Sequence, residues 1–362
     1  MNQRLQRLRD ALAARELDGV FVSNAQNRRY LSGFTGSAGH LLVTAADAVI
    51  ATDFRYFEQS ATQSPDFRLV KMGSGYESWV PELFGGLAGK KIAFEATDLS
   101  VHTHSQIRKT INEGIAEGER PELVPTLNLV EQLRLYKEPE EVVALQRAVD
   151  LGDAAFTDVA QRVEPGWTEK RVAWEIERYI REHGGDALSF DTIVAGGPWG
   201  AMPHAYPRDH ELQAGEGVVI DMGCDVGGYM SDLTRTIFLG KPDDQFKKIY
   251  DIVLTAQLTA EEMVKPGMTG GECHMIAHNV IEAAGYGETF GHSLGHGIGL
   301  QVHEAPRVGR TSNEVLEDTM VFTIEPGIYV TGWGGVRIED MVVLENGKAR
   351  IMSRAPKLAF AG

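Results

Sequence analysis

Residues 218–239 read VVIDMGCDVGGYMSDLTRTIFL. The apolar run Val218-Val219-Ile220 ends on Asp221, and a second run, Leu233–Leu239, begins directly after Asp232, with Gly227-Gly228 between them. Two apolar runs joined across a glycine pair predict a β-hairpin. Antiparallel pairing then lets two aspartates 11 positions apart face each other across neighbouring strands. An ionised carboxylate at the inner end of an apolar strand is costly unless something compensates it. The hairpin therefore points to a cation.

Three further residues have the same character. His296 sits in Gly295-His296-Gly297-Ile298-Gly299, where glycines allow close backbone approach. Glu325 follows Val321-Phe322 in Thr323-Ile324-Glu325-Pro326-Gly327, and Glu339 lies in Val336-Arg337-Ile338-Glu339-Asp340. Taken singly, each has an ordinary explanation: a turn after a strand, a solvated acid, a hydrogen-bonded histidine. Four carboxylates gathered together need compensation, and two divalent cations supply about +4 against −4. Four oxygen donors and one imidazole favour Mn²⁺, Co²⁺, Fe²⁺ or Mg²⁺ over the sulfur-rich sites of structural zinc. Two metals roughly 3.5–4 Å apart can share a water and make it nucleophilic near neutral pH. The chemistry that follows is hydrolytic.

The rest of the chain frames this site. Its 362 residues carry 35 Lys+Arg against 51 Asp+Glu, a formal charge of −16, which argues against a nucleic-acid or anionic-membrane binder. Two cysteines, Cys224 and Cys273, exclude a disulfide framework, and Cys224 reads as a small packing residue. The first ten residues alternate charge with leucine, unlike a signal peptide, and no apolar run approaches the roughly 20 residues of a membrane span. A cytoplasmic protein is expected. Leu5, Leu8, Leu12 and Leu17 have helical spacing, and Gly19–Val22, Leu41–Thr44 and Ala48–Thr52 read as strands. Gly33, Gly36 and Gly39 fit tight turns, because their spacing matches no phosphate loop.

Pro121, Pro125 and Pro139 punctuate a boundary, predicting an α/β chain of two domains, 1–130 and 131–362. The second domain contains a repeat. Val163-Glu164-Pro165-Gly166-Trp167-Thr168 recurs as Val264-Lys265-Pro266-Gly267-Met268-Thr269. Helices Glu169–Glu182 and Glu272–Ala284 follow the two copies, and later come the tags His204-Ala205-Tyr206-Pro207 and His303-Glu304-Ala305-Pro306. Two related α/β halves create a cleft between them. His274 and His278, spaced i, i+4 with no acid in a metal-binding pattern, read as a solvated helix face.

The order Asp221, Asp232, His296, Glu325, Glu339 resembles the metallopeptidase family with the pita-bread fold, to which methionine aminopeptidase, prolidase and aminopeptidase P belong. The strings that carry the resemblance are Asp221–Asp225, Ser231–Thr236, His292–Leu300, Val302–Glu304, Ile324–Tyr329 and Gly335–Asp340. It implies a creatinase-like N-terminal domain followed by a pita-bread catalytic domain. Asp221 would chelate one metal, Asp232 and Glu339 would bridge the pair, and His296 and Glu325 would hold the second. The expected metal is Mn²⁺, with Co²⁺, Fe²⁺ or Zn²⁺ as alternatives. In such enzymes a hydroxide shared by the metals attacks the scissile carbonyl, and the glutamate matching Glu325 handles the proton. His204, His292 and His303 would bind substrate or steady the oxyanion, with Tyr329 in the same region. Arg337, two residues before Glu339 on a strand pattern, would share its face and orient the carboxylates.

The N-terminal segment Tyr30–Gly39, with Thr52–Tyr56, is similar to the aminopeptidase P style. Asp53 and Arg55 within it read as paired surface charges. The resemblance implies a homodimer or homotetramer formed through this domain, which would limit access to a neighbouring site. The implied reaction is that of an Xaa-Pro aminopeptidase acting on peptides with proline second. The alternatives are a prolidase restricted to Xaa-Pro dipeptides and a peptide-binding relative without catalysis. What separates the first two is whether the pocket is open beyond proline or closed by a group that holds its carboxylate.

Overall fold

The computed structural model describes residues 3–357 and 360–361; Met1 and Asn2 of the leading segment lie outside the described residues. The chain separates into two compact units, Met1–Arg134 and Leu135–Gly362. Among the described residues no helix is long and apolar enough to cross a membrane.

The first unit is built on a mixed sheet of β1 (Gly19–Val22), β2 (His40–Thr44), β3 (Ala48–Asp53), β4 (Arg68–Met72), β5 (Lys91–Glu95) and β6 (Glu122–Thr126), in the order β4-β3-β2-β1-β5-β6. Its helices are α1 (Gln3–Ala14), α2 (Ala25–Ser32), α3 (Phe57–Gln63), α4 (Val80–Phe84), α5 (Val101–Gly114) and α6 (Glu131–Arg134). Leu5, Leu8 and Leu12 form the buried stripe of α1, while Leu17 falls in the turn leading to β1. Gly33 adopts φ 75° and ends α2, its N–H donating to Arg29 O at 2.7 Å. The carbonyls of Gly36 and Gly39 accept from the buried Arg28 guanidinium at 2.7 and 2.6 Å. This glycine loop turns acceptors inward onto an arginine, which is the opposite of a phosphate cradle. Arg55 clamps Asp53 through Nε and Nη2, each at 2.8 Å, on the exposed side, as expected of paired surface charges.

The second unit contains two α/β halves. In the first, α7 (Pro139–Arg162) and α8 (Glu169–Glu182) cover a sheet containing β8 (Ile193–Gly196), β9 (Gly217–Met222) and β12 (Leu233–Leu239). In the second, α9 (Asp244–Met263) and α10 (Gly270–Ala283) cover β13 (Gly295–Gly297), β14 (Glu304–Val308), β15 (Val321–Ile324), β18 (Asp340–Glu345) and β19 (Lys348–Ile351). Between these lie β7 (Ala187–Leu188), β10 (Cys224–Val226) and β11 (Tyr229–Met230) in a small sheet, and the ribbon β16 (Gly327–Val330) with β17 (Gly334–Arg337). The first half buries Phe156, Val159 and Ile176 with Val218, Ile220 and Ile237; the second buries Ile249, Val253 and Ile281 with Phe322, Ile324 and Val342.

The repeat holds in three dimensions. Thr168 and Thr269 each cap the helix that follows, accepting from Arg171 and Glu272 N–H at 3.1 Å. Gly166 and Gly267 adopt φ 92° and 91° and donate to Leu212 O and Leu316 O at 2.8 Å. The strand registers match as well, with Val218 opposite Gly196 and Phe322 opposite Gly297. Asp221 and Glu325 thus occupy corresponding places in the two halves. One carboxylate from each half therefore lines one cavity.

Candidate metal centre

A cavity of about 610 Å³ in the second unit is lined by all five proposed ligands, and by His204, His292, His303 and Arg337. Asp221 and Asp232 come from the predicted hairpin, with one difference. The aspartates are not directly opposed: Asp221 faces Thr234, and Asp232 precedes β12. The glycine pair sits instead at the tip of the short β10–β11 ribbon. Asp232 still lies two residues before Thr234, on the side of the strand that meets Asp221.

His296 is brought in by the glycines that bracket it. A Cβ on Gly295 would stand 1.9 Å from Thr323 O, and one on Gly297 would stand 2.0 Å from Ala305 O. Only glycine lets β13 approach both neighbouring strands this closely. The His296 Nδ1 lies 3.1 Å from Gly297 O, so assigning the proton there leaves the Nε2 lone pair facing the cavity. Nε2 is 3.6 Å from Asp232 Oδ2 and 3.5 Å from Glu325 Oε1. Burial, then the neighbouring His303, lowers the His296 pKa to about 4, so the ring is neutral and available as a ligand. Ligand atoms of Asp232, His296 and Glu339 all lie within 4.8 Å of one another.

The electrostatics of this donor set fit divalent cations. Burial first, and then the charges of Glu339, Asp221 and Glu325, push Asp232 well above the carboxylate range. Burial, then Glu325 and Asp221, does the same to Glu339, and burial pushes Glu325 up to about 8. Asp221 Oδ2 accepts from Arg337 Nη2 at 2.5 Å, while its Oδ1 is buried with no hydrogen-bond partner. Lone pairs of an imidazole, three buried carboxylates and the half-buried Glu325 line this one cavity, with one Asp221 oxygen bare. That is the arrangement a pair of dications satisfies.

Arg337 and Glu339 are not neighbours on one strand. The chain leaves β17 after Arg337 and enters β18 at Asp340, changing sheets between them. Arg337 reaches Asp221 instead, and its link to Glu339 is Thr234. Arg337 Nε donates to Thr234 Oγ1 at 3.0 Å, and Thr234 Oγ1 donates to Glu339 Oε2 at 2.6 Å. Thr323 plays a similar part for the other ligands, accepting from His296 N–H at 3.1 Å and donating to Glu325 Oε1 at 3.2 Å. Sequence reasoning passed over both threonines; the only signal for Thr234 was its alternation with Thr236 within Ser231–Thr236, which puts the two side chains on one face, and Thr323 had none.

The histidines divide into two kinds. His292 Nδ1 lies 2.8 Å from Ser293 O, so its Nε2 accepts from Tyr329 OH at 3.0 Å. Arg337 Nη1 in turn donates to Tyr329 OH at 2.8 Å. His292 and Tyr329 therefore form an internal chain ending on Asp221, and neither ring nitrogen of His292 offers a proton to the cavity. Among the described residues, His204 and His303 make no side-chain hydrogen bond, so their donors are available to a ligand. His274 does not lie on a solvated face. It is buried, stacks on Phe290 with centroids 5.2 Å apart, and its Nδ1 accepts from Leu294 N–H at 3.1 Å. Phe290 and the chain through Leu294 cover the face of α10 that spacing left open. Cys224 is fully buried, its Sγ 3.1 Å from Ala148 O.

Arg307, also missed from sequence, lines the same cavity. It sits directly opposite His296 in the β13–β14 register. Cross-strand partners project to the same face, so its exposed side chain leaves the sheet on the side of His296.

Residues 143–346 match the metallopeptidase family M24, and residues 4–136 match the creatinase/prolidase N-terminal domain. The Xaa-Pro dipeptidase of Pyrococcus horikoshii is 35% identical over 97% of each chain. The structure of an Xaa-Pro dipeptidase from Bacillus anthracis superposes with a TM-score of 0.93 at 39% identity, covering 99% of each chain. That of an X-Pro aminopeptidase from Thermotoga maritima gives 0.86 at 32% identity, again over 99% of each. With both domains matched in order and the candidate centre formed where the repeat halves meet, the chain belongs to metallopeptidase family M24, in the branch that carries the creatinase/prolidase N-terminal domain.

Proposed function

We propose that this chain is a two-metal exopeptidase that hydrolyses the bond between an N-terminal residue and a following proline, and that it accepts Xaa-Pro dipeptides. The observation that carries the dipeptide reading is Arg307. It lies opposite His296 in register and lines the cavity, and among the described residues its guanidinium has no carboxylate within 4 Å, Glu314 accepting only from its backbone N–H at 3.0 Å. In Xaa-Pro the free carboxylate is only two bonds beyond the scissile nitrogen, so a guanidinium on the cavity wall can hold it bidentately.

Asp221, Asp232, His296, Glu325 and Glu339 would hold the metals, with Mn²⁺ as the proposed ion and Co²⁺, Fe²⁺ or Zn²⁺ as alternatives. Such a pair supplies Lewis acidity and a water of lowered pKa. Glu325, beside the metals, would take the proton of the attacking water and pass it to the departing proline nitrogen. His204 and His303, with free ring donors, would hold the substrate carbonyl as charge develops on its oxygen. Arg337, Tyr329 and His292 would keep Asp221 and the cavity wall in register.

A second reading, Xaa-Pro aminopeptidase, is favoured by the size of the cavity. At about 610 Å³ it falls in the range of drug-sized ligands, larger than a dipeptide. The N-terminal unit is taken as the module that forms a homodimer or homotetramer, which sedimentation velocity measures, and the cytoplasm as the compartment.

The test is the rate of cleavage of Ala-Pro, Ala-Pro amide and Ala-Pro-Ala with Mn²⁺ present. Ala-Pro should be cleaved, and Arg307→Ala should lower its kcat/KM by roughly ten- to a hundredfold through KM, the value of one charge-assisted contact. Cleavage of Ala-Pro-Ala but not Ala-Pro would overturn the dipeptide reading in favour of the second. Cleavage of none of the three would sink both.

A further inference from the structure

The cavity that holds the candidate ligands does not end at Arg307. A second cavity of about 860 Å³ shares His292, Ser293 and Arg307 with it and continues past Arg310 along α10. Its flanks differ in sign. Arg307 and Arg310 come from β14 and the loop after it, whereas Glu282 and Glu288 come from α10 and the turn after it. No role assigned so far uses this space.

What sets the two arginines apart is their place on the cavity wall, in a chain of net charge −16. Arg55, Arg68, Arg162, Arg178 and Arg181 each hold a carboxylate on the surface. Among the described residues neither the Arg307 nor the Arg310 guanidinium has one within 4 Å, although Glu314 accepts from the Arg307 backbone N–H at 3.0 Å. Unpaired guanidinia lining a substrate cavity are suited to a ligand's carboxylate. The loop that spaces them is held tightly against the shared wall. A Cβ on Gly309 would stand 2.5 Å from Ser293 Oγ and 3.2 Å from Arg307 Nε. Arg307 therefore borders both cavities, and Arg310 lines only the second.

We propose that the second cavity binds the residues that follow proline, and that Arg310 receives the C-terminal carboxylate of tri- and tetrapeptides as Arg307 receives that of a dipeptide. This rests on the proposed Xaa-Pro hydrolase activity and adds its length range. An extended chain advances roughly 3.3–3.6 Å per residue, so the Cα atoms of two arginines three positions apart are at most about 11 Å from each other. That span matches the one or two residues that tri- and tetrapeptides carry beyond proline. Glu282 and Glu288 on the other flank disfavour an acidic side chain in this stretch and favour a basic one.

The experiment is steady-state cleavage of Ala-Pro, Ala-Pro-Ala and Ala-Pro-Ala amide by the Mn²⁺-loaded full chain, as wild type, Arg310→Ala and Arg310→Lys. Arg310→Ala should lower kcat/KM for Ala-Pro-Ala about tenfold more than for Ala-Pro, with the change in KM rather than kcat. Amidation should lower wild-type cleavage of the tripeptide by a similar factor and leave the alanine variant little changed, with lysine restoring part of the difference. Equal effects of the variant on both lengths, or indifference of the wild type to amidation, would overturn the proposal. A wild type that cleaves Ala-Pro but not Ala-Pro-Ala removes this inference and leaves the proposed activity standing; one that cleaves neither removes the activity itself.

Discussion

Thr234→Val isolates the hydroxyl that joins Arg337 to Glu339. Thr234 is fully buried; its Oγ1 accepts from Arg337 Nε at 3.0 Å and donates to Glu339 Oε2 at 2.6 Å. Valine keeps the shape and removes both contacts. Glu339 loses one charge-assisted hydrogen bond, worth about 1.5–3 kcal/mol, and Arg337 Nε is left buried without its acceptor, a further penalty of about 1–3 kcal/mol. Burial and the charges of Glu325 and Asp221 hold Glu339 toward its protonated form, so this hydrogen bond is one of the few forces favouring the anion a metal needs. Partners of metal ligands typically account for 10- to 100-fold in affinity, about 1.4–2.7 kcal/mol. Mn²⁺ titration by calorimetry should therefore show at least a tenfold weaker site in Thr234→Val, with affinity recovered in Thr234→Ser. The control is Thr236→Val. Its hydroxyl bonds only the Arg337 backbone, at 3.0 Å in each direction, so that variant should lose stability in urea with Mn²⁺ affinity kept. Mn²⁺ affinity within twofold of wild type in Thr234→Val would refute the role given to this threonine.

The other expectations follow from the same site. Glu325→Gln should lower Ala-Pro hydrolysis by roughly 10²–10⁴-fold with an unchanged circular dichroism spectrum, and near-wild-type turnover would exclude Glu325 as the proton carrier. In chelator-stripped protein the folded state holds Glu325 up to about 8 from an ordinary 4.5, so it binds a proton the unfolded chain has released. The stabilisation from this group is present below about pH 4.5 and is lost as pH rises through about 8. The buried histidines His292 and His296, lowered to about 4 from 6.5, are neutral in both states above about pH 6.5 and no longer contribute a slope. The urea midpoint should thus fall between pH 6.5 and 8, less steeply in Glu325→Gln, and Mn²⁺ should reverse the fall; a rising midpoint contradicts the assignment. Gly297→Ala places a Cβ 2.0 Å from Ala305 O, so it should cost about 1–3 kcal/mol or more in urea unfolding, and a neutral result would mean that β13 is free to shift.

The fold class and the order of the five candidate ligands were legible in the sequence because both rest on local information. Helix and strand periodicity sets which faces are apolar, and cation chemistry restricts which residue types may end an apolar run. The repeat was legible for the same reason, since Thr168 and Thr269 cap their helices through contacts three residues away. What the tertiary structure alone decided are pairings between distant segments. It set Asp221 opposite Thr234, sent Arg337 to Asp221 and not to a shared face with Glu339, occupied both nitrogens of His292, and buried His274 under Phe290. It also put Arg307 across from His296 through a register that shifts by irregular pairing next to Gly297. Such contacts depend on where strands cross and how closely backbones approach. Those are properties of the packed sheets, carried by no residue's own spacing, so the sequence named the donors and the fold determined what each donor faces.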